Sequence, residues 1–129
     1  MSAAQELRVP RVVLASTMQL AWDGQDSDRL ARVEEARPAN HYALTKLWAE
    51  QMGEMYARCY GMSVVALRLA WMVRNPYEAG KMRRMNRAGV YLSRRDAGRA
   101  FACAVEAQGI RFAIVYVAGP DGAGQFDLE

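Results

Sequence analysis

Tyr42 and Lys46 stand four residues apart in the stretch Asn40-His41-Tyr42-Ala43-Leu44-Thr45-Lys46-Leu47-Trp48-Ala49-Glu50. On a helix that spacing stacks both side chains on one face. A phenol and an ammonium so placed can share a proton relay, because the cation favours the phenolate and lowers a tyrosine pKa. An exposed Tyr and Lys on a solvated helix is the ordinary alternative. The chain is rich in arginine and its only lysines are Lys46 and Lys81, so the pairing carries some weight. The surroundings must decide.

Other polar residues fall in telling places. Ser16 and Thr17 end the apolar run Arg11-Val12-Val13-Leu14-Ala15. Small hydroxyls there mark the C-terminal edge of a buried strand, where open α/β sheets bind ligands. For Ser16 a strand-end hydroxyl bonded to backbone is the structural alternative. Arg68 sits inside the apolar run Ser63-Val64-Val65-Ala66-Leu67-Arg68-Leu69. A buried guanidinium needs a partner, and the expected one is Asp96. His41 is the sole histidine, cannot build a metal site alone and reads as a surface residue at a helix start. Cys59 and Cys103 lie in helical patterns without metal or Cys-x-x-Cys spacing, and are expected to be buried, reduced thiols of a cytoplasmic protein.

The elements that must position these residues follow from pattern. Residues 2–8 read as a helix end stopped at Val9-Pro10, and 11–16 as a strand buried on both faces. A polar, acidic loop over 21–39 carries Asp23, Asp26, Asp28, Glu34 and Glu35. Asn40 is an N-cap for a long helix over 41–60, with Gly61 as its terminator. Leu44, Leu47, Trp48, Gln51, Met52 and Met55 mark that helix's broad apolar side. Residues 63–69 form a second buried strand, so the unit is βαβ. An irregular stretch follows over 70–90. Val90-Tyr91-Leu92 is a short strand, and Ser93 caps a helix over 94–107 with Asp96 in its first turn. Ala97, Ala100, Phe101, Ala104 and Val105 are its apolar stripe. Residues 112–117 form a further strand, Gly119-Pro120-Asp121-Gly122 a turn, and a helix starts at Phe126.

Composition bounds what the chain does. Its 129 residues make one domain, 1–129, with a modest core, and 52% apolar and 24% charged residues are those of a globular chain. The net charge of +3 is spread out. The basic clusters Lys81-Met82-Arg83-Arg84 with Arg87, and Arg94-Arg95, are short and lack the interleaved aromatics of a single-strand binder, so nucleic acid is not an expected partner. The longest apolar run, 64–73, holds Arg68 and is too short to span a bilayer. No membrane role is expected.

In their order these pieces resemble the extended short-chain dehydrogenase/reductases, the NAD-dependent epimerase/dehydratase group. The matching residues are Arg11-Val12-Val13-Leu14-Ala15-Ser16-Thr17, then Pro38 with Tyr42-x-x-x-Lys46 and Glu50, then Val64-Val65-Ala66-Leu67-Arg68-Leu69, then Tyr91-Leu92-Ser93-Arg94-Arg95-Asp96. The strand from Phe112 to Gly119 is similar too. The resemblance implies an α/β fold, a partial Rossmann-like parallel sheet with helices. It implies that Tyr42 is the acid/base, that Lys46 supports it and holds the nicotinamide ribose of NAD or NADP, and that Thr17 orients the substrate oxygen. Ser16, Thr17, Arg84 and Arg87 would meet a sugar or sugar-acid-like small molecule, the arginines taking a uronate carboxylate or phosphate. Trp71 and Met72 depart from the small polar residues of the family, so its pocket does not transfer.

The largest departure is an absence. The family's Gly-x-x-Gly-x-x-Gly turn, which seats the pyrophosphate at a helix N-terminus, has no match. The resemblance therefore implies a C-terminal half lacking the N-terminal dinucleotide-binding half. Such a chain would leave strand edges and apolar surface open. The expectation is a homo-oligomer through the helix 41–60, or association with the missing half. Two functions follow: an NAD(P)-dependent oxidoreductase or epimerase, incomplete as this chain alone, or a non-catalytic oligomeric remnant that binds no cofactor.

Overall fold

Three apolar, β-branched runs form the strands β1 (Arg11–Thr17), β2 (Ser63–Leu69) and β5 (Phe112–Val117), which pair into one parallel sheet of order β1-β2-β5. The computed structural model describes residues 1–21, 36–72, 75, 77, 78, 80 and 91–119. Ahead of the sheet lies a short helix, α1 (Ser2–Glu6). A 3-10 turn (Met18–Leu20) follows β1, and the long helix α2 (His41–Tyr60) joins β1 to β2. A two-residue parallel ladder links β3 (Trp71–Met72) to β4 (Tyr91–Leu92), and helix α3 (Arg94–Glu106) leads into β5. The fold is α/β, as expected. The stretch expected to be irregular after residue 70 opens on β3 instead.

The boundaries follow from local chemistry. Asn40 Oδ1 accepts from the Ala43 amide at 2.9 Å and so caps α2. Gly61 ends it at φ 69°, a left-handed conformation that glycine adopts without a Cβ clash. Ser93 caps α3, accepting from the Asp96 amide at 3.0 Å and donating to Asp96 Oδ2 at 2.6 Å. At the other end of α3, Arg11 donates from Nη1 to the Ala104 and Val105 carbonyls at 3.1 Å and to the Ala107 carbonyl. These are carbonyls that a helix C-terminus leaves unpaired.

Side chains alternate across each strand, and both faces of β2 are covered. Val65, Leu67 and Leu69 pack with Leu92, Ala97 and Ala104. Val64 packs on the other face with Ala57, Met62 and the half-buried Val12, Leu14 and Phe112. Every residue from Val64 to Leu69 is buried. Strand β1 was expected to be equally buried, but Arg11 to Leu14 are only half-buried and Ala15 is exposed. Among the described residues β1 has one neighbour, β2, so its outer edge is open.

Several expectations need correction. The side of α2 carrying Trp48, Gln51, Met52 and Met55 faces outward, with Trp48 58% and Met52 44% exposed. The buried stripe is Ala43, Glu50, Gly53 and Ala57. Small residues win this face because the helix lies close to the sheet: a Cβ on Gly53 would meet Val64 Cγ1 at 2.9 Å and Leu14 Cδ1 at 3.0 Å. Val105 is likewise exposed rather than part of the inner stripe of α3. Cys59 and Cys103 are free thiols but exposed, since each faces away from the sheet-packed side of its helix. The acidic loop residues, Lys81, Arg84, Arg87 and the start at Phe126 lie outside the described residues.

Candidate active site

Four residues singled out from the sequence meet at one place. Ser16, Thr17, Tyr42 and Lys46 line a cleft of about 620 Å³ at the C-terminal ends of β1 and β2. Its walls include Met18 and Gln19, then Leu69, Ala70, Trp71 and Met72, then Glu78 and Arg94. Arg84 and Arg87 lie outside the described residues, so their expected substrate contacts have no described position.

Local bonds hold the start of α2 against the end of β1. Gln19 Oε1 accepts from Asn40 Nδ2 at 3.0 Å, tying the 3-10 turn to the helix cap. Lys46 Nζ donates to the Ala15 carbonyl at 2.9 Å. That ammonium lies 5.5 Å from the Tyr42 ring centroid, within cation–π range. Tyr42 itself is 52% exposed toward the cleft. Thr17 is buried, and its Oγ1 accepts from the Gln19 amide at 3.3 Å. A hydroxyl that accepts there still has a proton to donate. A phenol, an ammonium and a hydroxyl on one cleft can bind a substrate oxygen and exchange a proton with it.

Under this cleft lies a buried polar cluster. The strand register places Ser16, Arg68 and Tyr116 on one rung across all three strands. Glu50, from α2, covers them. Arg68 donates from Nε to Glu50 Oε1 at 2.9 Å and from Nη2 to Glu50 Oε2 at 2.8 Å, a bidentate pair at 1% and 2% exposure. Arg68 Nη1 donates to the Tyr116 hydroxyl at 2.8 Å, and Ser16 Oγ donates to Glu50 Oε1. Every buried side-chain polar atom among the described residues has a partner. Burial alone would lower the Arg68 pKa, but the hydrogen bond and charge of Glu50, with Tyr116, raise it above its ordinary value.

The expected partner of Arg68 was Asp96; it is Glu50. Asp96 is engaged at the cap of α3 instead. Sequence reasoning placed Glu50 in the matching stretch without giving it a task. The available signal was its position one turn beyond Lys46, which puts a carboxylate on the same helix face. Tyr116 was missed as a neighbour of the site, and Arg94 was read only as part of a short basic cluster on the surface, because only the strand register and the approach of α3 bring them there. No group of three or more His, Cys, Asp or Glu residues able to hold a metal occurs among the described residues. No helix among them is long and apolar enough to cross a membrane.

A family model described as the NAD dependent epimerase/dehydratase family matches residues 1–88. No curated protein is matched by the sequence. In fold the chain is similar to glucuronic acid dehydrogenase from Chromohalobacter salexigens, at 24% identity and TM-score 0.80, over 99% of this chain and 46% of that one. It is similar to uronate dehydrogenase from Agrobacterium tumefaciens, at 22% identity and TM-score 0.79, over 98% of this chain and 46% of that one. The UDP-glucose 4-epimerase of Thermus thermophilus, solved in complex with NAD, matches at 20% identity and TM-score 0.70, over 96% of this chain and 49% of that one. The chain thus spans under half the length of these solved structures.

Proposed function

This chain belongs to the NAD dependent epimerase/dehydratase family, and from that premise we propose that it serves an NAD(P)-dependent epimerase/dehydratase- or dehydrogenase-type oxidoreductase acting on a sugar or sugar-acid-like substrate. The observation that carries the reading is the meeting of Thr17, Tyr42 and Lys46 on one cleft at the strand ends. Neighbours in fold that act on uronates and on a UDP-sugar support the substrate class.

In this reading Tyr42 is the acid/base. Its phenol gives a proton to, or takes one from, the substrate oxygen whose carbon is oxidised or reduced. Negative charge builds on that oxygen as its carbonyl is reduced, and the Thr17 hydroxyl, with its proton free to donate, stabilises it. The Lys46 ammonium, beside the phenol ring, stabilises charge developing on the tyrosine oxygen. Bonding to Ala15 uses one of its three donors, which leaves two for a ribose hydroxyl. These residues fit the nicotinamide-ribose end of a dinucleotide. When bound, the nicotinamide supplies or accepts the hydride. The pyrophosphate end has no matching glycine-rich turn in the sequence. In this reading a dinucleotide-binding half of the family seats that end, pairing at the edge of β1 that is open among the described residues.

The test is titration of the purified chain with NADH and NADPH, following nicotinamide fluorescence, alone and with a dinucleotide-binding half of the family added. Saturable binding in either arm supports the oxidoreductase reading. A second reading, a non-catalytic oligomeric module, draws on the exposed Trp48, Met52, Met55 and Tyr60 of α2. It predicts no binding in either arm at millimolar cofactor, with self-association retained.

A further inference from the structure

Strand β2 is buried through Leu69, and Ala70 after it is also buried, its amide donating to the Val117 carbonyl at 2.8 Å. The next two residues, Trp71 and Met72, emerge into the cleft that Thr17, Tyr42 and Lys46 line, both about half exposed. Their backbone is held: as β3 they pair with Tyr91 and Leu92 of β4, and Leu92 is fully buried. The Tyr91 carbonyl in turn accepts from the Gly119 amide at 2.8 Å, which ties β4 to the chain leaving β5. The cleft therefore takes its proton-handling groups from β1 and α2, and an apolar wall of Leu69, Ala70, Trp71 and Met72 from the end of β2 and from β3. Trp71 and Met72 depart from the small polar residues of the family, so the exposed part of this wall is particular to this chain.

We propose that Trp71 is the specificity-determining residue of the cleft: its indole stacks on the C–H face of a pyranose ring whose oxygens meet Thr17 and Tyr42. The inference rests on the proposed function and narrows its substrate to a six-membered sugar ring recognised by its apolar face. Ring hydrogens carry partial positive charge and the face of an indole is negative, so the contact gains electrostatic as well as dispersion energy. Left uncovered, the indole keeps about half of its surface in water, and covering it is favourable. A closed ring presents its hydrogens on a fixed face, whereas an open-chain polyol must first be ordered at a cost in entropy. The β3–β4 pairing aims the backbone of Trp71 before any ligand arrives, which spares part of the same cost on the protein side. Trp71 takes no part in proton transfer.

The experiment titrates the full, isotope-labelled chain with methyl galactopyranoside, methyl glucopyranoside, the open-chain polyol sorbitol and benzyl alcohol, each to about 100 mM. The indole N–H signals of Trp22, Trp48 and Trp71 are followed by NMR. The variants are Trp71→Phe, which keeps an aromatic face, and Trp71→Leu, which keeps apolar bulk without one; melting is checked first, and affinity in both is read from the Thr17 amide. The expected result is a saturable shift of the Trp71 signal with at least one pyranoside. Its affinity should fall about three- to tenfold in Trp71→Leu and stay near parental in Trp71→Phe, with no saturable shift from sorbitol. Equal pyranoside affinity in Trp71→Leu, sorbitol bound as tightly as the pyranosides, benzyl alcohol bound in their place, or no saturable pyranoside binding would overturn the inference. The parent chain decides even where a variant fails to fold, because a pyranoside that saturates without moving the Trp71 signal overturns it too. Cofactor titration of the same samples keeps the two failures apart. Nicotinamide binding with pyranoside affinity indifferent to Trp71 refutes only the stacking; Trp71-dependent pyranoside binding without nicotinamide binding, with or without an added dinucleotide-binding half, refutes only the oxidoreductase reading.

Discussion

At the scale of single residues, the site divides into groups that face the cleft and groups that hold them. Tyr42 faces it, more than half exposed, with Lys46 beside its ring. Replacing Tyr42 by Phe removes the transferable proton and little else. Turnover of the cofactor-loaded protein should fall roughly 10²- to 10⁴-fold, with nicotinamide affinity nearly unchanged; a matching fall in affinity would mean the phenol acts in binding. Arg68 and Glu50 belong to the second kind. Breaking a buried ion pair by removing one partner leaves an uncompensated charge, at about 3–5 kcal/mol. Arg68→Met should therefore lower urea stability by about that amount. The double change Arg68→Met with Glu50→Met should lower it less than the sum of the single changes, since no orphan charge remains. The raised Arg68 pKa favours the fold below the unfolded value and is lost only as pH climbs through the folded one. The arginine thus introduces no pH dependence in the neutral range.

At the scale of elements, the placement of α2 decides the site. Its cap bonds to Ala43, its Lys46 bonds to β1, and its Glu50 bonds to both β1 and β2. The close approach depends on Gly53, which has no room for a side chain. Gly53→Ala should lower stability by about 1–3 kcal/mol from overpacking, less the roughly 1 kcal/mol that alanine gains in helix propensity. A rise in the urea midpoint would show that the helix can step back from the sheet without loss. Asn40→Ala removes the cap and should cost about 1 kcal/mol, measured the same way. Because Asn40 also holds Gln19, the change should loosen the 3-10 turn next to Thr17.

At the scale of the whole molecule, apolar side chains remain where nothing in the described structure covers them. Trp48, Met52, Met55 and Tyr60 project from the outer side of α2. Exposed patches of this kind mark interaction surfaces, and we propose that a second copy of the chain covers them. The expected outcome is a dimer or larger species by sedimentation, converted to monomer by Trp48→Glu with Met52→Lys. A parent chain that stays monomeric at high concentration would exclude α2 as a self-association surface. The edge of β1, open among the described residues, is a separate surface, with backbone groups ready to pair with a further strand.

The sequence by itself determined the three long strands, the two long helices and their order, but neither β3 nor the 3-10 turn. Continuous apolar runs specified the three strands, while Asn40, Gly61 and Ser93 bounded the two long helices through chemistry that acts within a few residues. Tyr42 and Lys46 were legible because four residues on a helix is a local distance. Tertiary structure alone decided what lay across the sheet. The rung of Ser16, Arg68 and Tyr116 depends on strand register, and the choice of Glu50 over Asp96 depends on which helix covers which face. The outward turn of Trp48 and Met52 reflects a packing distance that no helical period encodes: close approach to the sheet favours Ala43, Gly53 and Ala57 over larger apolar residues. The tyrosine and lysine could be paired from spacing, but the cleft they face exists only once β1, β2 and the start of α3 meet at one end of the sheet.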